Sequence, residues 1–115
     1  MKINFDHEHL VVSNAEETAT FYEKTFGATR RSTEVRNGVA FIQMNLHGTR
    51  LTISGQMNPL YGNHFGIHVD DFDTTLAQLK AQGVEMITEP RSTAEAKLVF
   101  IKDPGGNVIE VIQRL

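Results

Sequence analysis

Five histidines in 115 residues, with no cysteine, are the most reactive feature of this chain. His7 and His9 stand two apart near the start, His64 and His68 four apart near the middle. A carboxylate, Glu110, is flanked by Val108-Ile109 and Val111-Ile112. An acid inside such an apolar run is costly to bury unless it is paired or bound to a metal. Two imidazoles and one carboxylate form a facial ligand set that leaves coordination positions open. Such a set suits Fe(II), Mn(II), Ni(II), Co(II) or Zn(II). An open position admits a substrate oxygen, whose developing negative charge the metal stabilises. Set against this, a single histidine on a strand is commonly a surface or hydrogen-bonded residue.

Periodicity supplies the framework that carries these residues. Asp6 to Val12 reads as a strand, and Asn14 with Glu17 three positions on as a capping box. Ala15, Ala19, Tyr22 and Phe26 recur at helical spacing, which predicts a helix over 15–26 closed by Gly27. Thr29 to Val35 and Val39 to Leu46 are strands about the hairpin signal Asn37-Gly38. His47-Gly48 turns the chain into a strand over Arg50 to Ser54, and Gly55 to Asn63 is a linker loop. The order then recurs. His64 to Val69 is a strand, and Asp70, Asp71 and Asp73 offer caps for a helix carrying Leu76 and Leu79 and ending at Gly83. Val84 to Thr88, Lys97 to Lys102 and Asn107 to Gln113 are strands, the last two joined by the turn Asp103-Pro104-Gly105-Gly106. The chain thus reads as β-α-β-β-β twice. The spacing supports an internal repeat: His7 to Gly27 is 20 positions and His64 to Gly83 is 19.

Alternation in strands then sorts the polar residues. With a helix on one side of each sheet, Leu10, Val12, Leu51, Ile53, Ile109 and Val111 face the helices. His7, His9, Arg50, Thr52, Ser54, His64, His68 and Glu110 face away. Were the two repeats to wrap into a curved half-barrel, the histidines and the glutamate could converge.

The remaining composition narrows the function class. The formal charge of −3 lacks the basic excess of a general nucleic-acid binder. Without cysteine there is no disulfide scaffold, thiolate metal site or thiol nucleophile. No apolar run marks a signal peptide and none is long enough to span a bilayer, so the expectation is a soluble cytoplasmic protein with no membrane or nucleic-acid partner.

Three segments carry a family resemblance. Asp6-His7-Glu8-His9-Leu10-Val11-Val12 with Asn14 and Thr20-Phe21-Tyr22, His64-Phe-Gly-Ile-His-Val-Asp-Asp71, and Phe100-Ile-Lys-Asp-Pro-Gly-Gly-Asn-Val-Ile-Glu110 together resemble the vicinal oxygen chelate superfamily. That superfamily includes glyoxalase I, methylmalonyl-CoA epimerase, fosfomycin-resistance transferases, extradiol dioxygenases and bleomycin-resistance proteins. The resemblance implies an α+β fold of two βαβββ modules in a curved half-barrel with helices outside. It implies one domain over 1–115, with modules at about 1–55 and 64–115 and a linker at 56–63. Carried over residue by residue, it makes His7, His64 and Glu110 the metal ligands of one divalent ion. Thr52 falls where glyoxalase I has a fourth, carboxylate ligand and the epimerase an amide, a departure from both. The resemblance further implies a homodimer in which His7 of one subunit joins His64 and Glu110 of the other, with a site formed within one chain as the alternative.

Around that set, His9 and His68 are candidate acid–base groups, since histidine titrates near neutrality. Among candidate substrate-binding residues, Arg50 could pair with a substrate carboxylate, Thr52 could bond a metal-bound water or simply fill the face, and Gln43 with Asn45 could line the cavity. Arg36, Arg91, Lys97 and Arg114 read as surface charges, Phe41 and Phe65 as packing residues. The leading function is a metal-dependent glyoxalase-like lyase or isomerase that stabilises an enolate or oxyanion of a small oxygen-chelating substrate. An Fe(II) ring-cleavage-type dioxygenase and a non-catalytic, bleomycin-resistance-like binding protein are the alternatives.

Overall fold

The computed structural model describes residues 2–115. Its elements run β1 (Ile3–Val11), α1 (Ala15–Phe26), β2 (Thr29–Arg36), β3 (Val39–Leu46), β4 (Thr49–Ser54), β5 (His64–Val69), α2 (Phe72–Ala81), β6 (Arg91–Ser92), β7 (Ala96–Lys102) and β8 (Val108–Arg114). The order is βαβββ twice, as the sequence leads one to expect. The chain divides into two compact units, one of His7–Asn63 and one of the residues up to Asp6 with His64–Leu115.

In the unit of His7–Asn63 the strand order is β2-β3-β4-β1, with β1 parallel to β4 and the rest antiparallel. Asn14 caps α1: its side chain accepts the Glu17 N–H at 3.0 Å, and its amide donates to the Glu17 carboxylate at 3.3 Å. Gly27 ends the helix at φ 72°, in the left-handed region that glycine adopts without steric cost. The small residues Ala15 and Ala19 let α1 approach the sheet, where they meet Ile42, Met44, Leu51 and Ile53, with Leu10, Val12 and Tyr22 alongside. Asn37 and Gly38 both have positive φ, as a two-residue hairpin between right-twisted strands requires. The fifth histidine, His47, occupies the next turn and bonds through Nε2 to the Phe26 carbonyl at the end of α1.

In the other unit the order is β5-β8-β7-β6, with β5 parallel to β8. Asp71 caps α2, accepting the Thr74 N–H at 3.1 Å and its hydroxyl at 2.8 Å. These two bonds, foremost the backbone one, hold the Asp71 carboxyl below its ordinary range. Val69, Phe72, Val99, Ile101 and Val111 form the core, joined by Ile67, Leu76, Leu79 and Ile109. The ends of the chain are tied within this unit. Arg114 donates to Asp6 at 2.6 Å, and the Phe5 ring stacks on Phe65 at 6.0 Å.

One expected strand is not formed. Val84–Thr88 makes an isolated bridge, Met86 opposite Ile101, and the edge strand is instead the two-residue β6. Two local facts interrupt the ladder. The Thr88 hydroxyl takes the Phe100 N–H at 3.1 Å, in place of a backbone carbonyl. Pro90 then supplies no N–H at all. The second helix ends where Gly83 leads one to expect, with Ala81 its last residue, Gln82 its cap and Gly83 at φ 72° just beyond.

Candidate functional site

The helix-averse faces hold the polar residues that alternation assigned to them. In β1, His7 and His9 are buried, 7% and 4% exposed, while Leu10 and Val12 pack toward α1. The two rings lie 6.2 Å apart, and a ring nitrogen of each is within 4.8 Å of the other. Because β1 and β4 are parallel with His9 opposite Thr52, and Thr52 opposite Gln43 of β3, these three lie in one row across the sheet. Thr52 is buried, Gln43 half-buried, and Arg50, two residues earlier on the same face, is exposed beside Asn45.

The next row contains Ser54, which sequence reasoning left without a role, and Phe41, which it read as a packing residue. Ser54 is fully buried, and its hydroxyl lies 2.7 Å from His9 Nε2. Phe41, opposite Ser54 on β3, meets the His9 ring edge-on at 5.7 Å. Arg36 is exposed, as expected of a surface charge, and also makes a specific contact. Its guanidinium carbon sits 4.0 Å from the centroid of Phe41, and it donates to Glu34 at 2.8 Å. This is a cation–π contact on the histidine face. Parity along the strands was the available signal for Ser54 and Phe41. No signal foretold which of the like-faced residues would touch.

In the second unit His64 opens β5, is 4% exposed, and meets Phe100 edge-on at 5.1 Å. Glu110 is half-buried in β8. Its register partners are Gly66 on one side and Phe100 on the other, so the strand beside it offers no side chain in the parallel direction. The hairpin before β8 is held by Asp103, which accepts from the Asn107 backbone at 2.8 Å and side chain at 2.9 Å. These bonds, the side-chain one first, keep the Asp103 carboxyl below its ordinary range. His68 is half-buried, with Nε2 accepting the Arg114 backbone N–H at 3.4 Å. Arg114 is exposed, as expected of a surface charge, and pairs with Asp6, whose side chain is only 8% exposed. Arg91 lies at the surface as expected, while Lys97 is half-buried and pairs with Asp73 at 3.1 Å.

The donor chemistry within each unit fits a borderline divalent cation: two buried imidazoles on one strand face in the first, a buried imidazole and a half-buried carboxylate in the second. Among the described residues no helix is long and apolar enough to cross a membrane.

The family model for the Glyoxalase/Bleomycin resistance protein/Dioxygenase superfamily matches residues 4–111. Among solved structures, a hypothetical protein from Bacillus halodurans C-125 is 18% identical, with a TM-score of 0.83 over 100% of this chain and 96% of that one. A methylmalonyl-CoA epimerase from Mycobacterium tuberculosis is 18% identical, with a TM-score of 0.78 over 96% and 87%. A further methylmalonyl-CoA epimerase is 26% identical, with a TM-score of 0.72 over 95% and 93%.

Proposed function

Since the chain belongs to the Glyoxalase/Bleomycin resistance protein/Dioxygenase superfamily, we propose that it is a metal-dependent enzyme of isomerase or lyase type, acting on a small substrate with two neighbouring oxygens. The observation that carries this reading is the equivalence of the two units. Each opens its module with a buried histidine on the face turned from its helix, His7 in β1 and His64 in β5. The ligands of the proposed site are His7, His64 and Glu110. A divalent ion bound to them supplies Lewis-acid stabilisation of an enolate or oxyanion. The names of the epimerase neighbours favour a substrate with an acidic C–H next to a carbonyl, such as an acyl thioester.

The chain's own residues divide the remaining work. Thr52 and Gln43 offer neutral hydrogen bonds in the row beside His9, and the exposed Arg50 offers a charge to a substrate carboxylate. His68, whose Nε2 already accepts a backbone N–H, carries its proton on Nδ1 when neutral and is the proposed proton carrier. We take the chain as one cytoplasmic domain, with modules at about 1–55 and 64–115 joined by 56–63. It works as a homodimer in which His7 of one subunit joins His64 and Glu110 of the other.

The test is metal content per subunit of protein purified without chelators, beside His64→Ala, followed by deuterium uptake at the α-carbon of a panel of short acyl thioesters. Metal lost in the variant and metal-dependent exchange in the parent are expected. No binding after reconstitution with Fe, Mn, Ni, Co or Zn overturns the reading and leaves a sequestering cleft of the bleomycin-resistance kind. Iron with substrate-dependent oxygen consumption moves the assignment to a dioxygenase. Mixing His7→Ala with Glu110→Ala subunits tests the shared site, because one intact site per mixed dimer restores activity only if ligands come from both chains.

A further inference from the structure

A serine hydroxyl has one hydrogen to give. Ser54 gives it to the Gly55 carbonyl, at 2.8 Å. The contact between Ser54 Oγ and His9 Nε2 at 2.7 Å must therefore run the other way, with Nε2–H donating and the hydroxyl accepting. Neutral His9 then has its proton on Nε2 and its lone pair on Nδ1. The arrangement is held at every joint. The Ser54 carbonyl accepts the Val12 N–H at 2.8 Å, and the Gly55 N–H donates to the Ala40 carbonyl at 3.2 Å. A side chain at position 55 would bring its Cβ to 2.9 Å from Val39 Cβ and force a shift there, so the acceptor carbonyl sits on a residue where glycine fits and a larger one is crowded. Phe41, edge-on at 5.7 Å, limits rotation of the His9 ring.

We propose that Ser54 is a positioning residue that fixes His9 in the Nε2–H form, making Nδ1 a cation donor beside the imidazole of His7. The ligand is a borderline divalent cation, which two neutral imidazoles on one strand face prefer over magnesium or calcium. This adds His9 to the ligands and rests on the metal-dependent reading of the enzyme. A histidine ligand characteristically donates its second ring nitrogen to an oxygen, which sets its orientation and raises its basicity. The relay through Ser54 to Gly55 is such an outer partner, built from a hydroxyl and a carbonyl.

The experiment has two readouts on Ser54→Ala and Ser54→Thr. Long-range 15N–1H correlation of the histidine side chains, on metal-free protein at a pH where the rings are neutral, reports the tautomer directly. Zn2+ titration by calorimetry reports the donor. The expected result is a protonated Nε2 at His9 in the parent, lost in Ser54→Ala and recovered in Ser54→Thr, with zinc binding about 10-fold weaker in Ser54→Ala. An Nδ1–H pattern in the parent, or an unchanged pattern in folded Ser54→Ala, overturns the proposal. So does undiminished zinc affinity in Ser54→Ala when the parent binds zinc and His64→Ala does not, an outcome that leaves the enzyme reading standing. A parent that binds no zinc overturns both, and the tautomer spectrum still tells whether the relay exists.

Discussion

Replacing Ile53 by alanine tests the strand alternation on which the histidine face depends. Ile53 is fully buried against Ile42, Met44, Leu51, Ala15 and Ala19, and its neighbours Thr52 and Ser54 point the other way. Truncation removes the three carbons beyond Cβ, worth about 0.8 kcal/mol each in transfer alone, or roughly 2.4 kcal/mol. A cavity adds to that, because Ala15 and Ala19 have no side-chain length with which to fill it. The expected loss is about 3–4 kcal/mol, inside the usual span for this substitution. With a urea dependence of about 1–1.5 kcal/mol per molar for a chain this size, the midpoint falls by about 2–4 M. Thr52→Ala, on the opposite face, is expected to cost about 1 kcal/mol or less. Urea unfolding monitored by tyrosine fluorescence reads the correct unit, since Tyr22 and Tyr61 both belong to it. A loss below about 1 kcal/mol for Ile53→Ala, or a larger loss for Thr52→Ala, would refute the facial assignment and with it the placement of His7 and His9.

Other contacts set further expected outcomes. Gly55→Ala meets Val39 at 2.9 Å, and is expected to lower stability by about 1–3 kcal/mol by overpacking and to loosen the His9 tautomer; a midpoint and 15N spectrum equal to the parent's would contradict this. Arg114→Ala strips the counter-charge from Asp6, and because the Arg114 side chain is 45% exposed the expected cost is only about 1 kcal/mol, measured by thermal unfolding. Asp71 has its carboxyl held below the ordinary range in the folded state, so its capping contribution is complete above the unfolded value and fades as pH falls through the folded one. Asp71→Asn keeps a capping oxygen without that charge, and is expected to flatten the decline of the melting temperature below about pH 4, where the parent falls more steeply. An identical acid limb in both proteins would remove Asp71 from the account.

The repeat, the start of the first helix, the group of aspartates that caps the second and the division of each sheet into two faces were all legible in the residues. Each rests on local physics. Asn14 and Asp71 cap the helices that begin at the very next residue, Asn37-Gly38 suits the left-handed turn that closes a hairpin, and side chains alternate at a fixed period of two. His7, His9, Thr52 and Ser54 could therefore be set on one face by counting alone. Counting could not say that Ser54, rather than the register partner Thr52, would hold His9, since that choice depends on a diagonal reach between strands 45 residues apart. Nor could it place Arg36 over Phe41 or Arg114 against Asp6, contacts made by long side chains whose direction only the assembled sheet determines. The lost strand at Val84–Thr88 has the same origin: its β-forming composition is real, but a side-chain hydroxyl competes for the N–H that a ladder would need. Periodicity belongs to the chain and can be read from it. Which hydrogen finds which acceptor is settled only when distant strands stand side by side.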